Sequence, residues 1–345
     1  MRRTRTAEEE VDMNVRGTVW TLMVFAFWAL GVAGPHAQAR RAEMPRTASG
    51  APDLQGVWDF RSLTPMERPG DLSENEVFTE EQAAAFSADE IGRRSRDSST
   101  SDRAARVAQG DIIPYNDFWF DEGTVVTTQR TSLIVDPPDG RFPSLTPAAT
   151  AAAAALASAR NGVSSHEPTP GGFVEDLGPG GLQVRCILGF NSGPPMTPSA
   201  YNNNVQLFQT EDTVVLLAEM NHNARVVPLT GSDHAPSSVR QWTGDSRGHW
   251  DGDTLVVETT NFLRETNFMQ GVTSPDLTLV ERFTRVDADT LRYDVTIDDP
   301  NVWTAPWTFS VPMTRNSQPV YEYACHEGNY GLYNILAGAT MDAAK

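Results

Sequence analysis

Two copies of one short pattern constrain the fold of this chain more than any other feature. Residues 251–258 and 287–294 both read Asp-small-Asp-Thr-Leu-x-x-acid, where the small residue is Gly or Ala. The first copy leads into residues 254–260, which are rich in the β-branched side chains that fit a pleated sheet, so its Asp-Gly is typical of a hairpin turn. The second copy is most simply explained as an equivalent turn. The sequence therefore predicts a meander of consecutive antiparallel strands.

Strict alternation of apolar residues supports this prediction. Apolar side chains occupy every second position in two further stretches, namely Leu291, Tyr293, Val295 and Ile297, and Trp307, Phe309 and Val311. Since successive strand side chains point to opposite faces, this alternation predicts half-buried antiparallel strands. We find no βαβ rhythm and no phosphate-binding glycine motif, so we expect no nucleotide cofactor. The predicted fold is mainly β, an antiparallel meander closed or nearly closed into a barrel, with one or two small helices and long loops.

Two helices are predicted from their capping signals. Thr79, with Gln82 placed for a capping box, predicts a short helix that ends at about Ile91. Residues 146–160 read Thr-Pro followed by an alanine-rich run, which predicts a second helix inserted into the β domain. Residues 171–198 are dense in Gly and Pro and predict a long ordered loop.

Other segments are expected to extend the sheet. A first strand is predicted within residues 53–60, and residues 205–220 are predicted to form a hairpin around Thr210–Asp212. Residues 93–109 contain several Arg and Ser and hardly any large apolar residue, so we expect a mobile surface loop there. Three more strands are predicted, in residues 123–136, 226–229 and 320–324.

The first 39 residues are predicted to be a secretory signal peptide. Residues 19–33 form an almost unbroken apolar run, and Ala37-Gln-Ala39 follows as a small-residue cleavage pattern. Residues 13–16, Met-Asn-Val-Arg, are a better positively charged n-region than the acidic residues before them. This favours Met13 as the start of translation, with Met1 as the alternative. The apolar run is about 15 residues long, whereas a membrane-spanning helix needs about 20. We therefore expect a periplasmic or secreted protein without a stable membrane anchor, a membrane anchor being the alternative.

The remaining chain divides into a polar lead-in, residues 40–52, and a single predicted β-rich domain, residues 53–345. An apolar share of 39% is ample for a sizeable core. The formal net charge is -18 at pH 7, so nucleic acids and anionic membrane surfaces are not expected as partners. The expected partner is a small-molecule substrate or ligand.

The two cysteines, Cys186 and Cys325, are predicted to form a disulfide. An even number of cysteines in an exported chain favours this pairing. The bond would close a loop of about 139 residues and stabilise the protein by about 4–5 kcal/mol on the chain-entropy model. The alternative is a catalytic thiolate at Cys325 beside His326. The side chains of adjacent residues on a strand point in opposite directions, which argues against a direct contact between Cys325 and His326.

Histidines among charged residues indicate a candidate site. Histidine exchanges protons near neutral pH, and a neighbouring carboxylate fixes its tautomer, whereas Arg keeps its charge and can bind a carboxylate or an oxyanion. Five residues are predicted to be catalytic, namely His249 and His326 as acid and base, Asp245 and Glu327 as the carboxylates that orient them, and His222. Six residues are predicted to bind the substrate, namely Arg225, Arg247, His234, Trp242, Trp250 and Tyr323. We expect His222, His249 and His326 to lie near strand ends, with at least two of them in one cleft together with Arg247 and at least one tryptophan.

Several other interpretations of these residues stay open. They could form buried salt bridges and turn caps with a purely structural role. Three His and a carboxylate could bind zinc, although their spacing matches no zinc motif, and the Asp-rich turns lack the ligand order of a calcium-binding EF-hand loop. Residues 244–248, Gly-Asp-Ser-Arg-Gly, resemble the Gly-Asp-Ser-Gly-Gly of chymotrypsin-like proteases, with Arg247 as a departure, and would make Ser246 a nucleophile. We expect no metal.

Three longer strings resemble those of a family of exported bacterial proteins of unknown function. They are Tyr-Asn-Asn-Asn at 201–204, Trp-x-Gly-Asp-Ser-Arg-Gly-His-Trp-x-Gly-Asp-Thr-Leu-Val-Val at 242–257 and Tyr-Ala-Cys-His-Glu-Gly-Asn-Tyr at 323–330. This resemblance implies export and a single fold but carries no activity. Gly56-Val-Trp58 also resembles the opening strand of lipocalin-like barrels, in which the Trp closes one end of the barrel.

The function predicted from the sequence is therefore that of an exported enzyme without a cofactor. It would use general acid-base chemistry, in hydrolysis, elimination or isomerisation, on a small organic molecule held in the barrel mouth. The alternative is a barrel that binds a small molecule without turnover.

Overall fold

The computed structural model describes residues 44–97, 116–160, 181–264, 266 and 273–343. The predicted signal peptide and most of the predicted loop 93–109 lie outside the described residues. The described residues contain ten strands: β1 (Gly56–Asp59), β2 (Ile134–Asp136), β3 (Asn204–Gln209), β4 (Thr213–Ala218), β5 (Ala224–Pro228), β6 (Asp245–Asp251), β7 (Thr254–Thr260), β8 (Thr278–Arg285), β9 (Thr290–Asp298) and β10 (Trp307–Asn316). The α-helices are α1 (Glu80–Arg94), α2 (Pro147–Arg160), α3 (Gly181–Val184) and α4 (Tyr330–Ala343), and short 3-10 helices form at Gly70–Leu72, Asp117–Trp119 and Met220–His222.

The strands form one antiparallel sheet. Its hydrogen-bonded order is β5-β4-β3-β1-β10-β9-β8-β7-β6, with β2 paired to β10. Residues 251–254 turn β6 into β7, and residues 286–289 turn β8 into β9. The mainly β antiparallel fold and both repeated turns are therefore confirmed. Within the described residues, no helix is long and apolar enough to cross a membrane.

Two ends of the sheet need names, because they separate the candidate residues. Since neighbouring strands run in opposite directions, the β3–β4, β6–β7 and β8–β9 turns lie at one end, which we call the hairpin end. The β4–β5, β7–β8 and β9–β10 connections lie at the other, which we call the loop end. β6 begins at the loop end with Asp245 and runs to the hairpin end.

The sheet curls until its first and last strands meet. A Cβ atom added to Gly248 of β6 would lie 2.9 Å from Cγ1 of Val227 on β5 and 2.6 Å from Cδ2 of Leu229, which follows β5. Side chains at the end of β5 thus lie directly on the backbone of β6. The sheet is a nearly closed barrel whose seam lies between these two strands.

Replacing Gly248 with Ala tests the packing of this seam. The new methyl group would overlap Leu229 and Val227, so we expect the free energy of unfolding to fall by about 1–3 kcal/mol. Urea unfolding measures the change. Gly92→Ala in α1 is the control, because nothing lies within 4 Å of its added Cβ and Ala favours a helix. A Gly248→Ala protein as stable as the wild type would show that the two strands do not pack together.

Side chains fill the barrel interior. The alternating residues of β9 and β10 named above are all 0% exposed, which confirms their inward orientation. Trp58 is also 0% exposed, and its indole Nε1 donates to Leu54 O at 2.8 Å. The guanidinium groups of Arg285 and Arg315 lie 5.4 and 5.8 Å from the centre of its ring. A cation–π stack on Trp58 therefore covers the hairpin end.

The helix predictions are confirmed at both sites. Thr79 caps α1, since its side chain accepts from Gln82 N at 3.2 Å while Gln82 Oε1 accepts from Thr79 N at 2.8 Å. The alanine-rich run forms α2, and Thr146 Oγ1 accepts from Ala149 N at its first turn.

Two strand predictions were wrong. Of residues 123–136 only 134–136 are a strand, because the earlier part forms isolated bonds to residues 75–78, including Phe78 N to Gln129 O at 2.5 Å. Residues 320–324 are not a strand, because their backbone contacts the side chain of His222 and not a neighbouring strand. Helix α4 was not predicted.

Candidate functional site

The side chains of β6 divide between the two faces of the sheet. Ser246 and Trp250 face inwards, where Ser246 Oγ lies 2.8 Å from Thr259 Oγ1 and Trp250 packs against the core. Asp245, Arg247 and His249 alternate with them and face outwards. His249 is exposed. Only one of the adjacent pair His249 and Trp250 therefore faces the core, as strand geometry requires.

At the loop end, Asp245 is held by three donors. Its Oδ2 accepts from His234 Nδ1 and from Ala235 N, both at 2.9 Å, and its Oδ1 accepts from Arg247 Nη1 at 2.7 Å. Burial acts to raise the pKa of Asp245, but these three hydrogen bonds outweigh it and hold the pKa below its ordinary value. Asp245 is therefore a carboxylate that fixes both neighbouring side chains.

The other ring nitrogen of His234 faces a second carboxylate. His234 Nε2 lies 3.3 Å from Glu258 Oε1. The side chain of Asp245 is 10% exposed, that of His234 25% and that of Glu258 52%. The imidazole thus lies between an enclosed carboxylate and one that faces solvent. We call Asp245, His234, Arg247 and Glu258 the His234 cluster.

Sequence reasoning missed Glu258, although a signal for it was present. In the β6–β7 hairpin Asp251 pairs with Thr254, and the same register places Arg247 opposite Glu258. Counting four residues outwards along both strands from the predicted Asp-Gly turn pairs Arg247 with Glu258, which would have placed Glu258 beside the predicted site. The ring contact with His234 required the loop before β6 to fold back, which no local pattern indicates.

Arg225 lies inside the barrel and not at its surface. It forms a salt bridge with Glu281 of β8 through both terminal nitrogens, with Nη2 2.8 Å from Glu281 Oε1. Their side chains are 9% and 0% exposed. Tyr293 donates to Glu281 Oε1 at 2.6 Å and accepts from Met196 N at 3.1 Å. Arg225 thus belongs to a buried network, in which its guanidinium is already paired.

The electrostatics of this network follow from its burial. Burial acts to lower the pKa of Arg225, but the Glu281 carboxylate raises it above its ordinary value. Burial and the same carboxylate raise the pKa of Tyr293 well above its ordinary range, so Tyr293 stays a neutral hydroxyl. The sequence signal for Glu281 is its inward position between Leu279 and Phe283, where the alternation predicts an apolar residue.

The space beside Arg225 is small. A cavity of about 10 Å³, which has room for roughly one water molecule, lies between the start of β5 and the loop 192–196. A wider open groove of about 590 Å³ lies outside the barrel, between α1 and residues 124–129. Its lining contains none of the predicted site residues.

His222 fastens a C-terminal segment to the loop end. Its Nε2 lies 2.8 Å from Tyr321 O and 3.2 Å from Tyr323 N, so it can donate to the carbonyl in one tautomer or accept from the amide in the other. Both His222 and its neighbour Asn221 have positive φ angles, +49° and +58°. The ring therefore has a backbone contact that explains its position.

The predicted disulfide between Cys186 and Cys325 is confirmed, with a Cα–Cα distance of 5.7 Å. Because Cys325 is bonded, the alternative of a catalytic thiolate at this position is wrong. Nearby, Asn329 Nδ2 donates to Val184 O at 3.0 Å. Residues 321–329 are thus tied to the loop end by a covalent bond and by hydrogen bonds.

The structure does not bring His249 and His326 together. His326 and Glu327 are exposed and directly follow the disulfide near the loop end, whereas His249 lies two residues from the turn at the hairpin end, on the outer face. Trp242 is half-buried, and its carbonyl accepts from Thr266 Oγ1 at 3.0 Å. Of the predicted site residues, the structure gathers Asp245, Arg247 and His234. In the part of the chain that is described, no group of three or more His, Cys, Asp or Glu side chains is arranged to hold a metal ion.

Fold and site together define a mainly β protein, built on one curled antiparallel sheet with a histidine–carboxylate cluster on its outer face. Neither a family model nor a curated protein matches the chain. Among solved structures, a secretory abundant heat soluble protein from Ramazzottius varieornatus aligns with 33% of this chain and 70% of its own length. The identity is 11% and the TM-score 0.22, too low to support an argument about fold or function.

Proposed function

We propose that the protein is an exported enzyme that performs general acid-base chemistry on a small organic molecule at the His234 cluster, without an organic cofactor. The observation that carries this proposal is the 2.9 Å contact between His234 Nδ1 and Asp245, a carboxylate that Arg247 and Ala235 N hold in place. A carboxylate accepts the Nδ1 proton and leaves Nε2 as the base. Hydrolysis, elimination and isomerisation can each use such a group.

Arg247 and His234 each have a role that their chemistry supports. Arg247 keeps its positive charge and can stabilise negative charge that develops on a reacting oxygen. His234 takes the acid-base role that the sequence suggested for His249 and His326, because an enclosed carboxylate orients its ring. The Cys186–Cys325 disulfide supports export, since disulfides persist in oxidising compartments.

Activity measurements on His234 variants test the proposal. Wild-type protein is assayed against a panel of small esters, lactones and hydroxy acids, and kcat/KM for any hit is followed over pH. We expect His234→Ala to lower kcat/KM by about 10²–10⁴-fold and to remove the pH dependence attributable to the imidazole. His249→Ala is the matched control and should keep the activity. Full activity in His234→Ala would contradict the proposal.

The alternative is a protein that binds a small molecule without turnover. The cavity inside the barrel beside Arg225 measures about 10 Å³, whereas pockets for small organic ligands span roughly 300–1,000 Å³. Of the two spaces described above, such a ligand would therefore fit only the open groove of about 590 Å³ between α1 and residues 124–129. Binding of panel members without turnover would favour this alternative.

A further inference from the structure

Glu258 has no orienting task in the His234 cluster, yet it lies beside the ring. Asp245 already fixes His234 through Nδ1. Glu258 instead approaches Nε2, the atom that a general base must present to its substrate, at 3.3 Å. A carboxylate oxygen thus occupies the position where a substrate oxygen would have to lie.

The surroundings of this carboxylate suit an anion. Arg247 stands opposite Glu258 in the β6–β7 register, on the same outer face. Two of the nitrogens of Arg247 are engaged elsewhere, Nη1 by Asp245 and Nε by the carbonyl of Asp233. The Glu258 carboxylate therefore lies against a side chain that can carry positive charge, His234, and across from one that always does.

Glu258 is also easy to displace. Its side chain is 52% exposed, and an ion pair at such a surface contributes little, because water competes for both partners and the side chain loses rotamer freedom. Asp245, with 10% exposure and three donors, stays in place by contrast. A carboxylate that competes for Nε2 would therefore find His234 and Arg247 already held in position by Asp245. It would only have to displace the Glu258 side chain into solvent.

We propose that the His234 cluster binds the carboxylate of a small organic acid, which displaces Glu258 and takes its place beside His234 Nε2. This inference rests on the proposed function for the reaction, and it narrows that reaction to hydrolysis of a small ester or lactone. Water attacks the acyl carbon, the bond to the alkoxy oxygen breaks, and His234 passes the water proton to the departing alkoxide. The products are an alcohol and a carboxylic acid, whose proton passes to Nε2 so that the carboxylate accepts a hydrogen bond from it. Glu258 then imitates the product.

Sodium acetate is the probe for this site. Titration is followed by the NMR signals of the His234 ring, which are assigned by their loss in His234→Ala, and by the backbone amide of Ala235, which donates to Asp245 and is present in every variant. We expect Glu258→Ala to bind acetate about two- to fivefold more tightly than the wild type, since a weak internal competitor is gone. The matched control is Asp298→Ala, which removes an exposed carboxylate at the end of β9 and should behave as the wild type does.

The outcomes separate this inference from the proposed function. Glu258→Ala that binds acetate no better than the wild type, or acetate binding that persists in the Glu258→Ala/His234→Ala double variant, overturns the inference. Tighter acetate binding to Glu258→Ala upholds it even where no ester or lactone is turned over, in which case the proposed function alone fails. Hydrolysis by the wild type without acetate binding to Glu258→Ala leaves the proposed function intact and refutes the carboxylate site.

Discussion

Replacing Glu281 with Gln is expected to lower the free energy of unfolding by about 3–5 kcal/mol, the cost of leaving one charge of a buried pair without its partner. Glu281 is 0% exposed and accepts from Arg225 and Tyr293. The Gln side chain preserves the shape, so the loss measures charge and not a cavity. Chemical denaturation of the two proteins at one pH gives the difference.

The control for this prediction removes both charges. In the double variant Arg225→Met/Glu281→Leu, apolar side chains of similar volume replace the pair, and such replacements are often neutral or stabilising. We expect it to recover only part of the stability that Glu281→Gln loses, because the buried Tyr293 hydroxyl still lacks the acceptor that Glu281 provides. A Glu281→Gln protein within about 1 kcal/mol of the wild type would show that the Arg225 charge finds water or another partner.

Removing the disulfide is expected to have an effect of similar size. The bond joins residues 139 positions apart, and on the chain-entropy model a loop of that length gives about 4–5 kcal/mol. The variant is Cys186→Ser/Cys325→Ser, measured by denaturation without reductant. His222→Ala is the comparison, because it removes only the hydrogen bond to the Tyr321–Tyr323 backbone and should cost about 1 kcal/mol. If Cys186→Ser/Cys325→Ser and His222→Ala lowered the free energy of unfolding equally, the disulfide would stabilise the attachment of residues 321–329 no more than one hydrogen-bonding side chain does.

Much of the sheet could be predicted, because its signals are local. The Asp-Gly and Asp-Ala turns set the register of two hairpins, and the alternation of residues 291–297 fixed which side chains enter the core. Residues 320–324 have a suitable composition for a strand, but a strand also needs a partner. Whether a partner strand lies nearby depends on the path of the whole chain. Here the side chain of His222, and not a neighbouring strand, contacts the backbone of residues 321–323.

The site was predicted by residue type and not by pairing. His234, Asp245 and Arg247 stood among the candidates, but the sequence favoured His249 and His326 as acid and base and assigned His234 only a substrate-binding role. His249 faces outwards near the hairpin end of β6, whereas Asp245 lies at the loop end. Only the fold of the loop before β6 brings His234 to Asp245. Glu281 contacts Arg225 across the barrel interior. The two residues are far apart in the sequence, so no local pattern predicts this contact.

The position of one proton tests the central claim most directly. In the neutral ring of His234 we predict the proton on Nδ1, donated to Asp245, with Nε2 as the base. Imidazole nitrogen NMR distinguishes the two tautomers without any substrate. In Asp245→Asn the amide nitrogen can donate to Nδ1, so the proton should move largely to Nε2. A wild-type ring that carries its proton on Nε2, and is unchanged by Asp245→Asn, would contradict the assignment of His234 as an oriented base.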